Sequence, residues 1–277
     1  MTTNDRIAFQ GELGAYSHLA AAEYFSADSP VLACTEFSDT FKAVEDSKAS
    51  HAIIPVENSV AGSIVENYDL LRTSGTYISG EYSLRIQHSL IVTNTNITDE
   101  VTKVYSHPQA LAQCTDFIEE SLPNAEVIPY YDTAGAAQLV ARNPNEKWAA
   151  IASELAAPIY DVKVLKNGIE NHPNNYTRFL VIQKLPNGGL PSTTYDKTSI
   201  VYKQKNSDGL QKTLAIFSSN EINISKVELR PQVGEPWRYW VFLDLEGSSE
   251  VVTECIEQLN LAANEYKILG NYQAHQV

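Results

Sequence analysis

The stretch Asn175-Tyr176-Thr177-Arg178-Phe179-Leu180-Val181-Ile182 decides how this chain is read. Its second half is an apolar run of strand length, rich in residues that suit a buried sheet. Its first half sets a hydroxyl and a fixed cation side by side at the mouth of that strand. A small carboxylate that must lose a hydroxyl needs both groups. A guanidinium holds the anion through paired N–H groups, and a proton donor eases the departing oxygen. The plainer reading is a strand start with a β-branched Thr177 and a surface Arg178.

Working outward, the segments at Ile7-Ala8-Phe9, Val31-Leu32-Ala33-Cys34 and Ala52-Ile53-Ile54-Pro55-Val56 predict strands. Each is followed by a turn and a helix: over 19–25 with Ser17 as N-cap, over 38–44, and over 64–71. Residues 77–93 read as mostly extended. The alternation returns with Val104-Tyr105 before a helix opened by Pro108. Val127-Ile128 follows, before a helix capped at Asp132, and then Ala149-Ala150-Ile151-Ala152 before a short helix at Ser153. Layered α/β structure follows. Two lobes fit, one from 1–80 plus the returning 160–185 and one from 81–159, with a ligand cleft at the strand ends. Leu185-Pro186-Asn187-Gly188-Gly189-Leu190-Pro191-Ser192 marks a linker over 186–196. Beyond it, 197–277 predicts strands over 198–202, 224–229, 239–245 and 266–269 with helices over 210–217 and 251–262. This βαββαβ order is the ferredoxin-like arrangement, with one sheet face left apolar and open to pairing.

The formal net charge is −14. Residues 1–196 hold 12 Lys and Arg against 24 Asp and Glu, and 197–277 hold 8 against 10. This balance argues against a nucleic-acid partner. It also means that local groups must capture an anionic ligand, since the overall field repels it. Cys34, Cys114 and Cys255 are scattered, with no metal-ligand spacing, and point to a reducing compartment. The N-terminus lacks a signal-peptide profile and no apolar run reaches membrane-spanning length, so a cytoplasmic protein without membrane contact is expected. Gly11 and Gly14 do not form a dinucleotide fingerprint.

Five motifs in order resemble those of the prephenate dehydratase family. They are Gly11-Glu12-Leu13-Gly14-Ala15-Tyr16-Ser17; Pro55-Val56-Glu57-Asn58-Ser59 with Gly62-Ser63; Ser106-His107-Pro108-Gln109-Ala110-Leu111; Asp132-Thr133-Ala134 with Ala136-Ala137; and Asn175-Tyr176-Thr177-Arg178-Phe179. The resemblance implies a two-lobed catalytic domain over 1–185 with a type-II periplasmic-binding-protein-like fold and the active site between the lobes. It implies an ACT regulatory domain over 197–277. The family's GAL motif falls on Asp208-Gly209-Leu210 and its ESRP motif on Glu228-Leu229-Arg230-Pro231, with Leu229 in place of the serine. Phenylalanine would bind there between subunits of a homodimer or homotetramer as an allosteric inhibitor, with Asn223 and Ser225 as further contacts. Otherwise, Asn223, Ser225, Glu228 and Arg230 read as a solvated strand face.

The reaction so implied removes hydroxide and CO2 from prephenate to give phenylpyruvate, with no metal and no redox cofactor. Thr177 is the expected donor to the leaving oxygen, with Arg178 and Phe179 beside it as catalytic candidates. Strand alternation puts Thr177 and Arg178 on opposite faces. Arg178 therefore either clamps the anion or anchors the loop through a buried carboxylate such as Glu57. Asn58, Ser59, Gly62, Gln109 and Thr133 are expected at the substrate, where capping is the plainer reading of the polar ones. Glu57 and His107 are expected at the substrate as well. Glu57 ranks below Thr177 as an acid, and His107 either protonates the leaving group, binds a carboxylate or serves as a cap-region histidine beside Pro108. His18, His51, His88, His172 and His275 match no motif and read as exposed or structural. Arogenate dehydratase and a non-catalytic sensor of small anions are the competing readings.

Overall fold

The computed structural model describes residues 5–93, 101–191, 195–204, 208–247, 249–259 and 263–275. Strands β1 (Ile7–Gln10), β2 (Val31–Cys34) and β3 (His51–Asn58) run parallel in the order β2-β1-β3. Helices α1 (Tyr16–Tyr24) and α2 (Phe37–Glu45) make the crossovers. Both faces of β3 are covered, which is why Ala52–Val56 is apolar without alternation. On one face Ile54 and Val56 pack with Phe41 and Val44 of α2 and with Tyr68 and Leu71 of α3 (Val65–Thr73). On the other, Ile53 packs with Ala20 and Ala21 of α1. A short β4 (Gly62–Ser63) hairpins onto the end of β3. β11 (Tyr176–Lys184) lies antiparallel between β3 and β5 (Thr76–Arg85).

A second sheet holds β6 (Ser89–Val92), β7 (Lys103–Ser106), β8 (Glu126–Pro129), β9 (Trp148–Ala152) and β10 (Lys163–Asn167) in the order β10-β6-β9-β7-β8. Helices α4 (Pro108–Ala112), α5 (Thr115–Ser121), α6 (Thr133–Arg142) and α7 (Ala156–Tyr160) accompany it. The chain crosses between sheets at 86–88 and 168–175, later than the 80 and 160 expected. The reason is that β5 runs on to Arg85 to pair with Tyr176, and β10 completes the second sheet. α1 begins at Tyr16, so Ser17 lies inside the helix rather than capping it.

The C-terminal part has β12 (Lys197–Gln204), α8 (Gly209–Ser219), β13 (Asn223–Pro231), β14 (Tyr239–Glu246), α9 (Ser249–Gln258) and β15 (Ala263–Tyr272). Its antiparallel order β13-β14-β12-β15 is ferredoxin-like. Residues 260–262 of the expected second helix and 192–194 of the expected linker lie outside the described residues. The expected open sheet face is instead covered by the chain itself. Tyr68 of α3 meets Phe242 edge-on at 5.2 Å, and Arg72 lies 4.6 Å over the Trp240 ring. β15 also pairs with β5 at Gly270 and Ile78, joining both parts in one ten-stranded sheet. A Cβ on Gly270 would collide with the Ile78 carbonyl, so only glycine permits that approach.

Candidate active site

Between the two sheets lies a cleft of about 310 Å³. β3 and β11 build one wall. Their register sets Thr177 directly opposite Asn58, and the alternation of β11 turns Phe179 the same way. α4 builds the other wall with His107, Gln109 and Gln113, and α6 adds Thr133. His88 and Ile86 come from the crossing segment beneath.

The hydrogen bonds of this site have a fixed direction. Asn58 Oδ1 accepts from the backbone N–H of Val60 at 3.0 Å and of Ala61 at 2.8 Å. Backbone N–H groups can only donate, so the amide cannot be turned around. Asn58 Nδ2 must then donate, and it does so to Asn175 Oδ1 at 2.8 Å and Thr177 Oγ1 at 3.0 Å. Asn175 Nδ2 in turn donates to Gln113 Oε1 at 3.1 Å. Because Thr177 Oγ1 is an acceptor toward Asn58, its own proton is left for the cleft. Thr177 is buried at 7% exposure, so water competes little for that proton.

The N-termini of α1, α4 and α6 bring Tyr16 and Ser17, Gln109, and Thr133 to the cleft. Helix N-termini favour anions through unpaired N–H groups. Asp132 Oδ1 caps α6 by accepting from Gly135 N at 2.8 Å, and His107 Nδ1 caps α4 by accepting from Gln109 N at 3.3 Å. Among the described lining residues there is no Lys, Arg, Asp or Glu. Among the described residues no cluster of three or more His, Cys, Asp or Glu side chains is placed to hold a metal ion.

The glycine turn 11–15 crosses to the second sheet. Ser153 Oγ donates to Gly14 O at 2.6 Å and Tyr160 OH to Leu13 O at 2.7 Å. Gly14 has φ +89°, and a Cβ there would fall 2.8 Å from Ala156 Cα. The turn therefore ties the two cleft walls together.

The structure brings Asn58, Gly62, His107, Gln109, Thr133, Thr177 and Phe179 to one cleft. It leaves Glu57, Ser59 and Arg178 outside. Arg178 points away from Thr177, as alternation requires. Its Nη2 lies 2.7 Å from Glu81 Oε2, its Nη1 lies 2.6 Å from Asp244 Oδ2, and its side chain is 16% exposed. The clamp expectation is thus corrected to an anchor, and its carboxylates are Glu81 and Asp244 rather than Glu57. Glu57 shares that outer face and meets Lys226 Nζ at 2.7 Å. Ser59 Oγ is taken up by Tyr176 N and Asn174 O. Of the two readings of His88, exposed or structural, the first is excluded: it is buried at 2% exposure, and it also lines the cleft. Gln113 was missed although it sits four residues after Gln109, on the same side of a helical turn.

The C-terminal candidates divide. Asp208, Leu210 and Leu229 line a broad depression with Trp237 and Tyr239, and Gly209 is buried at the start of α8. Asn223 and Ser225 bond to Glu246. Glu228 and Arg230 lie on the other face of β13, toward the first sheet. Ser63 Oγ donates to Glu228 Oε2 at 2.6 Å, and Arg230 Nη2 meets Asp69 Oδ2 at 2.8 Å. These residues therefore do not share one pocket, since alternation separates them.

Comparison with known proteins finds relatives that cover nearly the whole chain. A bifunctional chorismate mutase/prephenate dehydratase of Neisseria gonorrhoeae is 38% identical, over 96% of this chain and 74% of that one. An arogenate dehydratase/prephenate dehydratase 2, chloroplastic, of Arabidopsis thaliana is 37% identical over 96% and 72%. The structure resembles prephenate dehydratase of Arthrobacter aurescens in complex with L-Phe, with TM-score 0.87, 27% identity and coverage of 97% and 90%. It also resembles GqqA, described as a novel type of quorum quenching acylase, with TM-score 0.89, 29% identity and coverage of 98% of each chain. The family model for prephenate dehydratase matches residues 7–187, and the chain belongs to the prephenate dehydratase family.

Proposed function

We propose that this protein is a lyase that converts prephenate to phenylpyruvate, water and CO2, and that Thr177 assists the leaving oxygen. The observation that carries this reading is the direction of the Asn58 amide, which leaves the Thr177 proton free for the cleft. In the reaction the ring C–O bond breaks and hydroxide departs with its electron pair, hydrogen-bonded by Thr177. The ring carboxylate leaves as CO2, and its C–C bonding pair completes the aromatic ring. The hydroxide takes up one proton from the buffered medium and becomes the product water. The threonine need not ionise. It needs only to bind more strongly as charge grows on the oxygen, in a dry site where that bond counts. The anionic substrate is held by helix N-termini and amides. The assay is direct: purified protein is incubated with prephenate, quenched in alkali and read for phenylpyruvate absorbance. A non-catalytic sensor would give none.

Arogenate is the second reading, favoured by the names of the plant relatives. It differs from prephenate in carrying an ammonium group. A buried ammonium needs a carboxylate or several acceptors. The described lining residues include no carboxylate, which favours prephenate. Parallel assays with the two substrates decide between them.

The two-sheet arrangement with double crossing supports a type-II periplasmic-binding-protein-like catalytic domain over 1–185. We read 197–277 as an ACT domain that binds phenylalanine and pairs with a second copy, supported by its strand order and by the L-Phe complex of the Arthrobacter relative. The depression at Asp208, Leu210 and Leu229 is the candidate pocket. Calorimetry that detects no phenylalanine binding would end that reading.

A further inference from the structure

His88 sits in the segment that crosses between the two sheets, and its ring joins both walls of the cleft. Its Nε2 lies 2.8 Å from Gln113 Oε1, and its Nδ1 lies 2.6 Å from the Tyr16 hydroxyl. Its backbone N–H donates to Glu170 Oε2 at 2.9 Å. The chain of donors that starts at Val60 and Ala61 fixes what these contacts are. Asn175 Nδ2 donates to Gln113, so the Gln113 atom it meets is the oxygen. His88 faces the same oxygen and must bring a proton on Nε2. Burial lowers the His88 pKa, against smaller opposing effects of Gln113 and Glu170, so the ring is neutral at neutral pH. Its Nδ1 is then bare and accepts from Tyr16 OH, whose 2.6 Å contact to the ring is shorter than its 3.1 Å contact to Gln87 O. The Gln113 oxygen is held from two sides, and its NH2 makes no hydrogen bond to any described residue. The Gln113 side chain lines the cleft.

We propose that His88 is a positioning residue: as the Nε2–H tautomer, with Nδ1 engaged by Tyr16, it locks the Gln113 carboxamide with its NH2 toward a substrate carboxylate. This rests on the prephenate reading above. Without the Nε2 donor the Gln113 oxygen keeps only the longer bond from Asn175, and the amide is freer to rotate and present that oxygen to an anion, which repels it. The substrate carboxylate is that of the keto-acid side chain, which keeps its charge while hydroxide and CO2 leave the ring, so the effect belongs to binding rather than to turnover.

The test compares His88→Leu and His88→Gln, each alone and with Gln113→Ala. His88→Leu should raise KM for prephenate about tenfold while kcat stays within about threefold. His88→Gln, which keeps a donor at similar reach, should bring KM back to within about twofold of wild type. In the Gln113→Ala background, His88→Leu should add nothing further, because the two act as one unit. A wild-type KM for His88→Leu, or the same tenfold increment without Gln113, overturns the proposal. Nitrogen-15 NMR of the wild-type imidazole is the second measurement and needs no substrate. A neutral His88 with its proton on Nε2 at pH 7.5 is expected. An Nδ1–H tautomer or a charged ring overturns the proposal, whatever the substrate proves to be.

Discussion

Thr177 is a poor acid in water, and its use here depends on where its proton points. Asn58 supplies that direction, and two backbone N–H groups in turn fix Asn58. Arg178, one residue on, has a different task. Burial pushes the Asp244 carboxyl up, but Arg178, Ser199 and Lys197 outweigh it and hold it below the usual carboxylate value. A lysine cannot reach Glu81 and Asp244 with the same planar fork. Arg178→Lys should therefore cost about 1–3 kcal/mol of stability while leaving KM for prephenate unchanged. A raised KM at wild-type Tm would return Arg178 to the substrate. His18, His51 and His88 share a signature, since burial lowers each of their pKa values. The folded protein thus refuses protons that the unfolded chain accepts as pH falls through about 6.5. Their stabilising contribution is complete above that value and is lost below it. Calorimetric Tm should fall on going from about pH 7.5 to pH 5, and less steeply in His88→Gln, which has one such group fewer. Equal slopes in the two proteins would contradict this.

Elements explain which residues were legible in the sequence. The period of two along β11 separates Thr177 and Phe179 from Arg178, and the structure keeps that separation. Choosing between clamp and anchor was beyond the sequence, because Asp244 reaches Arg178 only through the packing of β14 near β11. Gln113 was legible in principle from its spacing to Gln109. His88 carried no such signal. Its place depends on where β5 ends and β6 begins, and 84–92 reads as one extended stretch, with Leu84 and Ile86 alternating with polar residues up to the apolar Leu90–Val92, which hides that boundary. The glycine turn 11–15 could be read as a turn but not as a tie between sheets, since Ser153, Ala156 and Tyr160 come from another lobe. Gly14→Ala meets both an unfavourable φ and a close backbone. It should lower Tm by an amount worth about 1–3 kcal/mol and raise KM as the walls separate. Unchanged Tm and KM would show that the turn does not hold the cleft.

At the scale of the molecule, the order of α/β lobes followed by a βαββαβ unit was legible, because local periodicity specifies it. The join was not. Pairing of Gly270 with Ile78 links residues far apart in the chain, and no local pattern announces it. The join sets C-terminal groups against the residues flanking the site. Asp244 holds Arg178 beside Thr177, and Lys226 holds Glu57 beside Asn58. Asp244→Ala would leave Arg178 and Lys197 with one buried carboxylate fewer and should cost about 3–5 kcal/mol in denaturant unfolding. A loss under about 1 kcal/mol would mean that the network is not structural. The account as a whole turns on a neutral hydroxyl aimed into a cleft by its neighbour's amide. Its most direct test is steady-state turnover of prephenate by Thr177→Ala beside wild type. The variant should lose at least about 100-fold in kcat with KM nearly unchanged. Turnover at the wild-type rate would contradict it.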